Sequence, residues 1–185
     1  MNSTAAVLTP VAPFGELRIA ETSPLEFSSA VGTDVPELLA IERESFEYPW
    51  SRAEFEYCLA ARSCRGIVVK REGETLGYLF YEILNYGFEL ISCAVRKSER
   101  RLGIGTALVR RLMEELDERR CEISCVARER NVPAQLFLRS LGFRVSAIVA
   151  GFYRDADEDA YRMRYYSDEW ELTTDRSRDR LWALR

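Results

Sequence analysis

The 185-residue sequence contains no histidine. That absence removes histidine-based nucleophilic triads, histidine general bases and the commonest metal ligand together. Any proton transfer therefore falls to a carboxylate, a tyrosine, a thiol or water. Cysteine is scarce and unpaired in pattern: Cys58, Cys64, Cys93, Cys121 and Cys125 form an odd set with no Cys-x-x-Cys spacing, and are read as reduced, partly buried thiols. No metal is expected. No apolar run approaches the length of a membrane span, and residues 1–15 lack the basic-then-apolar plan of a secretory leader, so the expectation is a cytoplasmic protein without a membrane partner. A basic excess is missing too. With a formal net charge of −4 the body does not bind nucleic acid or anionic membrane by bulk electrostatics. Internal repeats are absent. What is present, 47% hydrophobic residues, suffices for one good core and one domain.

The stretch from Glu89 to Arg119 carries the clearest chemistry. An apolar strand, Glu89-Leu-Ile-Ser-Cys-Ala-Val95, leads into a basic turn, Arg96-Lys-Ser-Glu-Arg-Arg-Leu-Gly-Ile-Gly105, and then into a helix opening at Ile104 or Gly105. Two glycines between a strand end and a helix N-terminus let a ligand approach unpaired N–H groups where the helix dipole is positive. Arginines add directional donors that suit a diphosphate better than a single carboxylate. The plain structural alternative is a strand-to-helix connection with solvated arginines. Walker A is excluded because Thr106 and Ala107 follow Gly105, and the dinucleotide fingerprint because Leu108 stands where its third glycine belongs.

Along the rest of the chain, residues 1–23 read as an extension that carries at most a short edge strand near Leu17–Ala20. A strand at about 25–31 precedes a helix capped by Thr33 or Asp34 with Pro36 in its first turn. Pro49 stops that helix, and Ser51-Arg-Ala-Glu54 is a capping box that starts the next, running to about Ala61. Tyr48 and Trp50 sit on the loop between them. They are candidate substrate contacts, with a hydrophobic staple as the structural alternative. Strands at 65–71 and 75–83 form a hairpin through Glu72-Gly73-Glu74. The helix after the basic turn repeats Ile104, Leu108, Leu112 and Leu116 at steps of four, with Glu115 and Arg119 as an i,i+4 pair. A strand at 121–127 follows, then a helix capped by Asn131 and closed at Gly142, and strands at 143–149 and 160–166. The order β-α-α-β-β-β-α-β-α-β-β gives an α/β (α+β) fold with a mixed, mostly antiparallel sheet of six to seven strands and four helices. The domain spans 24–166, and 167–185 is a charged tail.

Arg100-Arg101-Leu102-Gly103-Ile104-Gly105 resembles the coenzyme A pyrophosphate loop of the GNAT acyltransferases, Gln/Arg-x-x-Gly-x-Gly/Ala, and the element order is that of the GNAT fold. Thr33-Asp-Val-Pro36, Ile41-Glu42, Phe46-Glu-Tyr-Pro-Trp-Ser51, Phe55, Arg128-Glu-Arg-Asn131, Ser140-Leu-Gly-Phe143 and Glu158-Asp159-Ala160 with Met163 are similar to the RimI branch, bacterial N-terminal acetyltransferases whose best-known member acetylates the N-terminal alanine of a small-subunit ribosomal protein. The resemblance covers about residues 25–166. It implies acetyl-CoA as cosubstrate and a protein N-terminus, ribosomal or other, as partner. It also implies that the backbone of Cys93-Ala94-Val95 pairs with pantetheine amides, that Arg100, Arg101, Gly103, Gly105 and Thr106 surround the pyrophosphate, and that Asn131 bonds the pantetheine arm.

Two positions depart from the family. Where the branch places a glutamate base this chain has Val126, and where it places a tyrosine acid this chain has Leu138. Neither side chain moves a proton. Glu89 matches the site of a catalytic tyrosine in a related eukaryotic N-terminal acetyltransferase, and Tyr153 is positioned to donate to the leaving thiolate or hold a peptide. Their structural alternatives are a solvated strand-start carboxylate and an ordinary hairpin aromatic. An α-amine, with a reference pKa of about 7.7–8.0, is partly neutral without a base, whereas a lysine at about 10.4 is not. The expectation is N-terminal acetylation. A GNAT for lysine or small-molecule amines, and an acetyl-CoA-binding regulatory module with little turnover, are the alternatives.

Overall fold

The computed structural model describes residues 23–154 and 157–167. The expected edge strand near residues 17–20 and the tail beyond Ser167 lie outside the described residues. Seven strands form one sheet: β1 (Glu26–Ser29), β2 (Cys64–Arg71), β3 (Glu74–Ile83), β4 (Gly87–Val95), β5 (Glu122–Arg128), β6 (Arg144–Tyr153) and β7 (Glu158–Tyr166). Their spatial order is β1-β2-β3-β4-β5-β7-β6. Among the paired neighbours of the described residues only β4 and β5 run parallel, with α3 crossing between them. Four helices, α1 (Val35–Ser45), α2 (Arg52–Ala60), α3 (Ile104–Met113) and α4 (Val132–Ser140), complete the order read from the sequence.

Local chemistry sets most boundaries. Ser51 accepts the Glu54 N–H while Glu54 accepts the Ser51 N–H at 2.6 Å, the reciprocal cap that starts α2. Asn131 accepts the Ala134 N–H to start α4. Asp34 occupies the cap position of α1 but uses its carboxylate elsewhere, accepting from the Val31 N–H and from Lys70 Nζ at 2.7 Å. One expected helix is shorter than its apolar period suggests. α3 ends at Met113, and Asp117 instead accepts the N–H groups of Arg119 and Arg120. A short acidic side chain that captures backbone donors competes with helix propagation, so Glu115 and Arg119 do not share a helix, although Leu116 still packs on the core. The last hairpin is longer than expected, with β6 reaching Tyr153 across an irregular register between Val149 and Tyr153.

Both faces of the sheet are used. On one, α3 presents Ile104, Leu108, Val109 and Leu112 to Leu79, Tyr81, Phe88, Leu90, Ile123 and Met163. Each such fully buried aliphatic contributes roughly 1.5–3 kcal/mol relative to exposure. On the other, Leu38 and Ile41 of α1 and Phe55 of α2 cover Val68, Tyr78, Phe80 and Ala94. This second layer reaches β4 and stops there.

Candidate active site

The sheet opens at its centre. β4 and β5 pair from Gly87 with Glu122 to Leu90 with Cys125, after which β4 continues to Val95 and β5 to Arg128 with no register between them. The separation begins at a bulge: Tyr81 of β3 faces Leu90 and Phe80 faces Ser92, which leaves Ile91 as the extra residue. A bulge bends its strand and redirects the edge. Gly87 allows the tight start, because a Cβ there would lie 2.1 Å from the Glu122 carbonyl oxygen. The result is a wedge whose β4 wall, Ile91–Val95, offers strand backbone toward a partner that β5 does not supply.

The wide end of the wedge leads to the basic turn and α3. Arg101 and Gly103 both have positive φ, +66° and +82°. Gly103 is the cap residue of α3 and no side chain caps the first turn, so the leading N–H groups face outward. A Cβ at Gly105 would meet only ordinary contacts with Phe137 and Val95; its value lies in what approaches from outside. Thr106 shares this first turn. Arg100 fastens the turn to the body, donating to the Val95 carbonyl at 2.9 Å and to Ser45 Oγ at 2.8 Å. Asn131 spends its carbonyl oxygen on the α4 cap, leaving its amide N–H groups as donors. These residues fit a pantetheine arm along β4 and a diphosphate at α3.

The narrow end holds the candidates for chemistry. Phe88 and Leu90 point into the α3 core, so alternation turns half-buried Glu89 to the opposite face, beside Ser124 of β5. Burial pushes the Cys125 thiol up to about 12, with the nearby Glu89 carboxylate adding to the effect. Cys93, also on the core side, is raised to about 12 by burial. Neither is a thiolate at neutral pH. Val126 is half-buried on the side away from α3 and Leu138 is buried, so neither position presents a polar group to the wedge.

Tyr48 and Trp50 separate in space. Trp50 packs edge-on against Phe55 and Phe80, at 5.2 and 5.9 Å between centroids, within the α1–α2 layer. Tyr48 stays exposed, and the Arg128 guanidinium lies 4.9 Å from its ring centroid. The same guanidinium sits 3.9 Å from the Tyr153 centroid and 3.2 Å from Glu158. Arg128 thereby ties the α1–α2 loop to the last hairpin across the mouth of the wedge. Glu158 in turn accepts the Arg130 N–H, which with Arg128 holds its carboxyl below the usual range. The motif around Arg128 does not reveal its partners, which come from two separate segments, the α1–α2 loop and the last hairpin.

A second feature was not legible as chemistry. Glu42 of α1 is 2% exposed, accepts the Trp50 N–H at 2.9 Å, and accepts the Tyr78 hydroxyl; Ser92 Oγ lies 3.3 Å from that hydroxyl. Burial lifts its pKa from 4.5 to about 7 against the lowering by the Trp50 N–H, with Glu54 adding a small rise. The chain of contacts links the α1–α2 loop to the bulged part of β4.

The pattern of the Acetyltransferase (GNAT) family matches residues 35–143. The chain is a GNAT-family acetyltransferase. It is 30% identical over 146 residues to an N-alpha-acetyltransferase of Sulfurisphaera tokodaii, covering 71% of this chain and 86% of that one. The crystal structure of the ribosomal-protein-S18-alanine N-acetyltransferase from Escherichia coli superposes with a TM-score of 0.70 at 26% identity, over 77% of this chain and 94% of the other. Arabidopsis thaliana NAA60 in complex with acetyl-CoA has the same fold, with a TM-score of 0.66 at 17% identity, over 77% of this chain and 98% of the other. Among the described residues, no helix of this GNAT acetyltransferase is long and apolar enough to cross a membrane.

Proposed function

We propose that this acetyltransferase moves the acetyl group of acetyl-CoA to the α-amine of a protein N-terminus, in the cytoplasm, as RimI-type enzymes do; a ribosomal-protein N-terminal alanine is the leading acceptor. The observation that carries this reading is the wedge between β4 and β5, open toward the uncapped first turn of α3. Bound acetyl-CoA supplies a thioester carbonyl activated for attack by an amine. The chain's own part begins with the backbone of Cys93, Ala94 and Val95, which pairs with the pantetheine amides as an added strand. Arg101, Gly103, Gly105 and Thr106 receive the pyrophosphate, Arg100 braces them, and Asn131 donates to the arm.

At the narrow end, Glu89 accepts the proton of the incoming ammonium, directly or through water, and Tyr153 holds the acceptor or donates to the leaving sulfur. Tyr48 lines the acceptor side, and Trp50 fixes the loop that carries it. An α-amine, partly neutral near pH 8, demands less of a weak base than lysine does. The open acceptor side suits a chain end rather than an enclosed small molecule.

The test is single-turnover transfer from acetyl-CoA to a panel of N-terminal peptides, α-blocked peptides with a free lysine, and small amines. Acetylation of the α-amine is expected. Product on lysine or small amines instead selects the other acceptor class, and tight acetyl-CoA binding without product on any acceptor selects a regulatory module.

A further inference from the structure

The face of the sheet beneath α1 and α2 is covered only in part. Both helices pack over β2, β3 and β4, and on β5, β7 and β6 that face carries no helix among the described residues. Strand alternation names its side chains. Ile123, Cys125 and Met163 belong to the core under α3, which puts Ser124, Val126 and Arg128 of β5, and Arg162 and Arg164 of β7, on the open side.

Two of these three arginines are engaged. Arg128 is paired with Glu158 and stacked on Tyr153 and Tyr48, and Arg164 Nε lies 3.3 Å from Glu122. Arg162 is half-buried and has no ion pair among the described residues. It lies in register with Val126. A guanidinium stays charged at any working pH, and its planar fork of donors matches a carboxylate. An anion arriving with the acceptor would supply the carboxylate that Arg162 does not find among the described residues.

We infer that Arg162 is a specificity-determining residue that receives a carboxylate, so that this chain favours N-termini with Asp or Glu at the second or third residue. The inference rests on the reading that the acceptor is a protein N-terminus. Neighbouring strands lie about 4.7–4.9 Å apart and an extended chain advances about 3.3 Å per residue. An amine held at the apex beside Val126 therefore brings its second or third residue over β7. The same charge repels lysine or arginine there.

The experiment uses the full chain with acetyl-CoA and peptides that differ only in Asp, Asn or Arg at position two or three. Acetyl-CoA affinity, measured first for each variant, establishes that it is folded. Wild type is expected to acetylate the Asp peptide with a kcat/KM about tenfold or more above the Asn peptide, the scale of one charge-assisted hydrogen bond. Arg162→Gln brings that ratio to about twofold or less, and Arg162→Glu turns the preference toward the Arg peptide. An Asp-to-Asn ratio unchanged by Arg162→Gln, or a wild type that prefers the Arg peptide, overturns the inference and leaves acetyl transfer standing. If wild type acetylates no peptide, binding to the CoA complex decides. An Asp peptide held more weakly by Arg162→Gln than by wild type keeps the carboxylate site and removes the transfer reading, whereas equal binding removes both.

Discussion

The two halves of the wedge are built in opposite ways. Apart from Asn131, the half proposed for the cofactor comes from one continuous stretch, Ile91 to Thr106, whose strand, turn and helix lie next to each other in sequence. The half proposed for the acceptor is assembled from Tyr48 on the α1–α2 loop, Glu89 on β4, Arg128 on β5, and Tyr153 and Arg162 on the last hairpin. A contiguous half depends on backbone conformation and so tolerates little change at single glycines. A dispersed half depends on side chains brought together by the sheet, and each can be altered while the scaffold stands. Substitutions on the two sides should therefore affect different measurements.

The largest effect is expected at the apex where the halves meet. Glu89→Gln should lower single-turnover acetylation about a hundredfold at neutral pH, the lower range for loss of a general base, and shift the pH profile upward with acetyl-CoA affinity retained. An unchanged profile removes Glu89 as the base and leaves water as acceptor.

On the cofactor side, Gly103→Val places a β-branched residue at φ +82° in the turn before α3. Strain of about 1–3 kcal/mol, together with crowding of the first-turn N–H groups, should weaken acetyl-CoA binding by roughly thirtyfold in calorimetry. Retained affinity would return the turn to a simple connection.

Glu42 tests the layer that supports both halves. Its folded pKa lies above its ordinary value, so the native state holds a proton that the unfolded chain has lost between about 4.5 and 7. Stability is therefore fully present below that window and falls as pH rises through it. Glu42→Gln removes this dependence. The variant should match wild type near pH 5 and exceed it by about 1–2 kcal/mol near pH 8 in denaturant unfolding, a discounted share of the shift. A gap that does not grow with pH contradicts a protonated Glu42.

The smallest expected effect lies on the acceptor side. Arg128→Ala loses two ring contacts, each worth about 0.5–1 kcal/mol, and its pairing with Glu158, whose carboxylate still accepts the Arg130 N–H. Peptide KM should rise about fivefold while acetyl-CoA affinity stays put. Equal losses for both ligands would mean that Arg128 holds the whole wedge rather than its mouth.

How much of this was legible follows the same division. The reciprocal Ser51–Glu54 cap, Asn131 at the start of α4 and Gly103 before α3 are local hydrogen-bond and φ requirements, and they were readable as written. The end of α3 was not, because Asp117 competes for backbone donors in a way that apolar periodicity ignores. Tyr48 and Trp50 looked equivalent on their loop. Only packing against Phe55 and Phe80 committed Trp50 to the interior and left Tyr48 to meet Arg128.

The sequence by itself determined the order of elements and the glycine-bearing basic turn that leads into α3, since each depends on neighbours within a few residues. Tertiary structure decided where β4 parts from β5, why burial raises the Glu42 carboxyl above its ordinary range, and that Arg128 and Arg162 share one open face. Strand register, burial and charge pairing are set by residues far apart along the chain, and no local pattern encodes them.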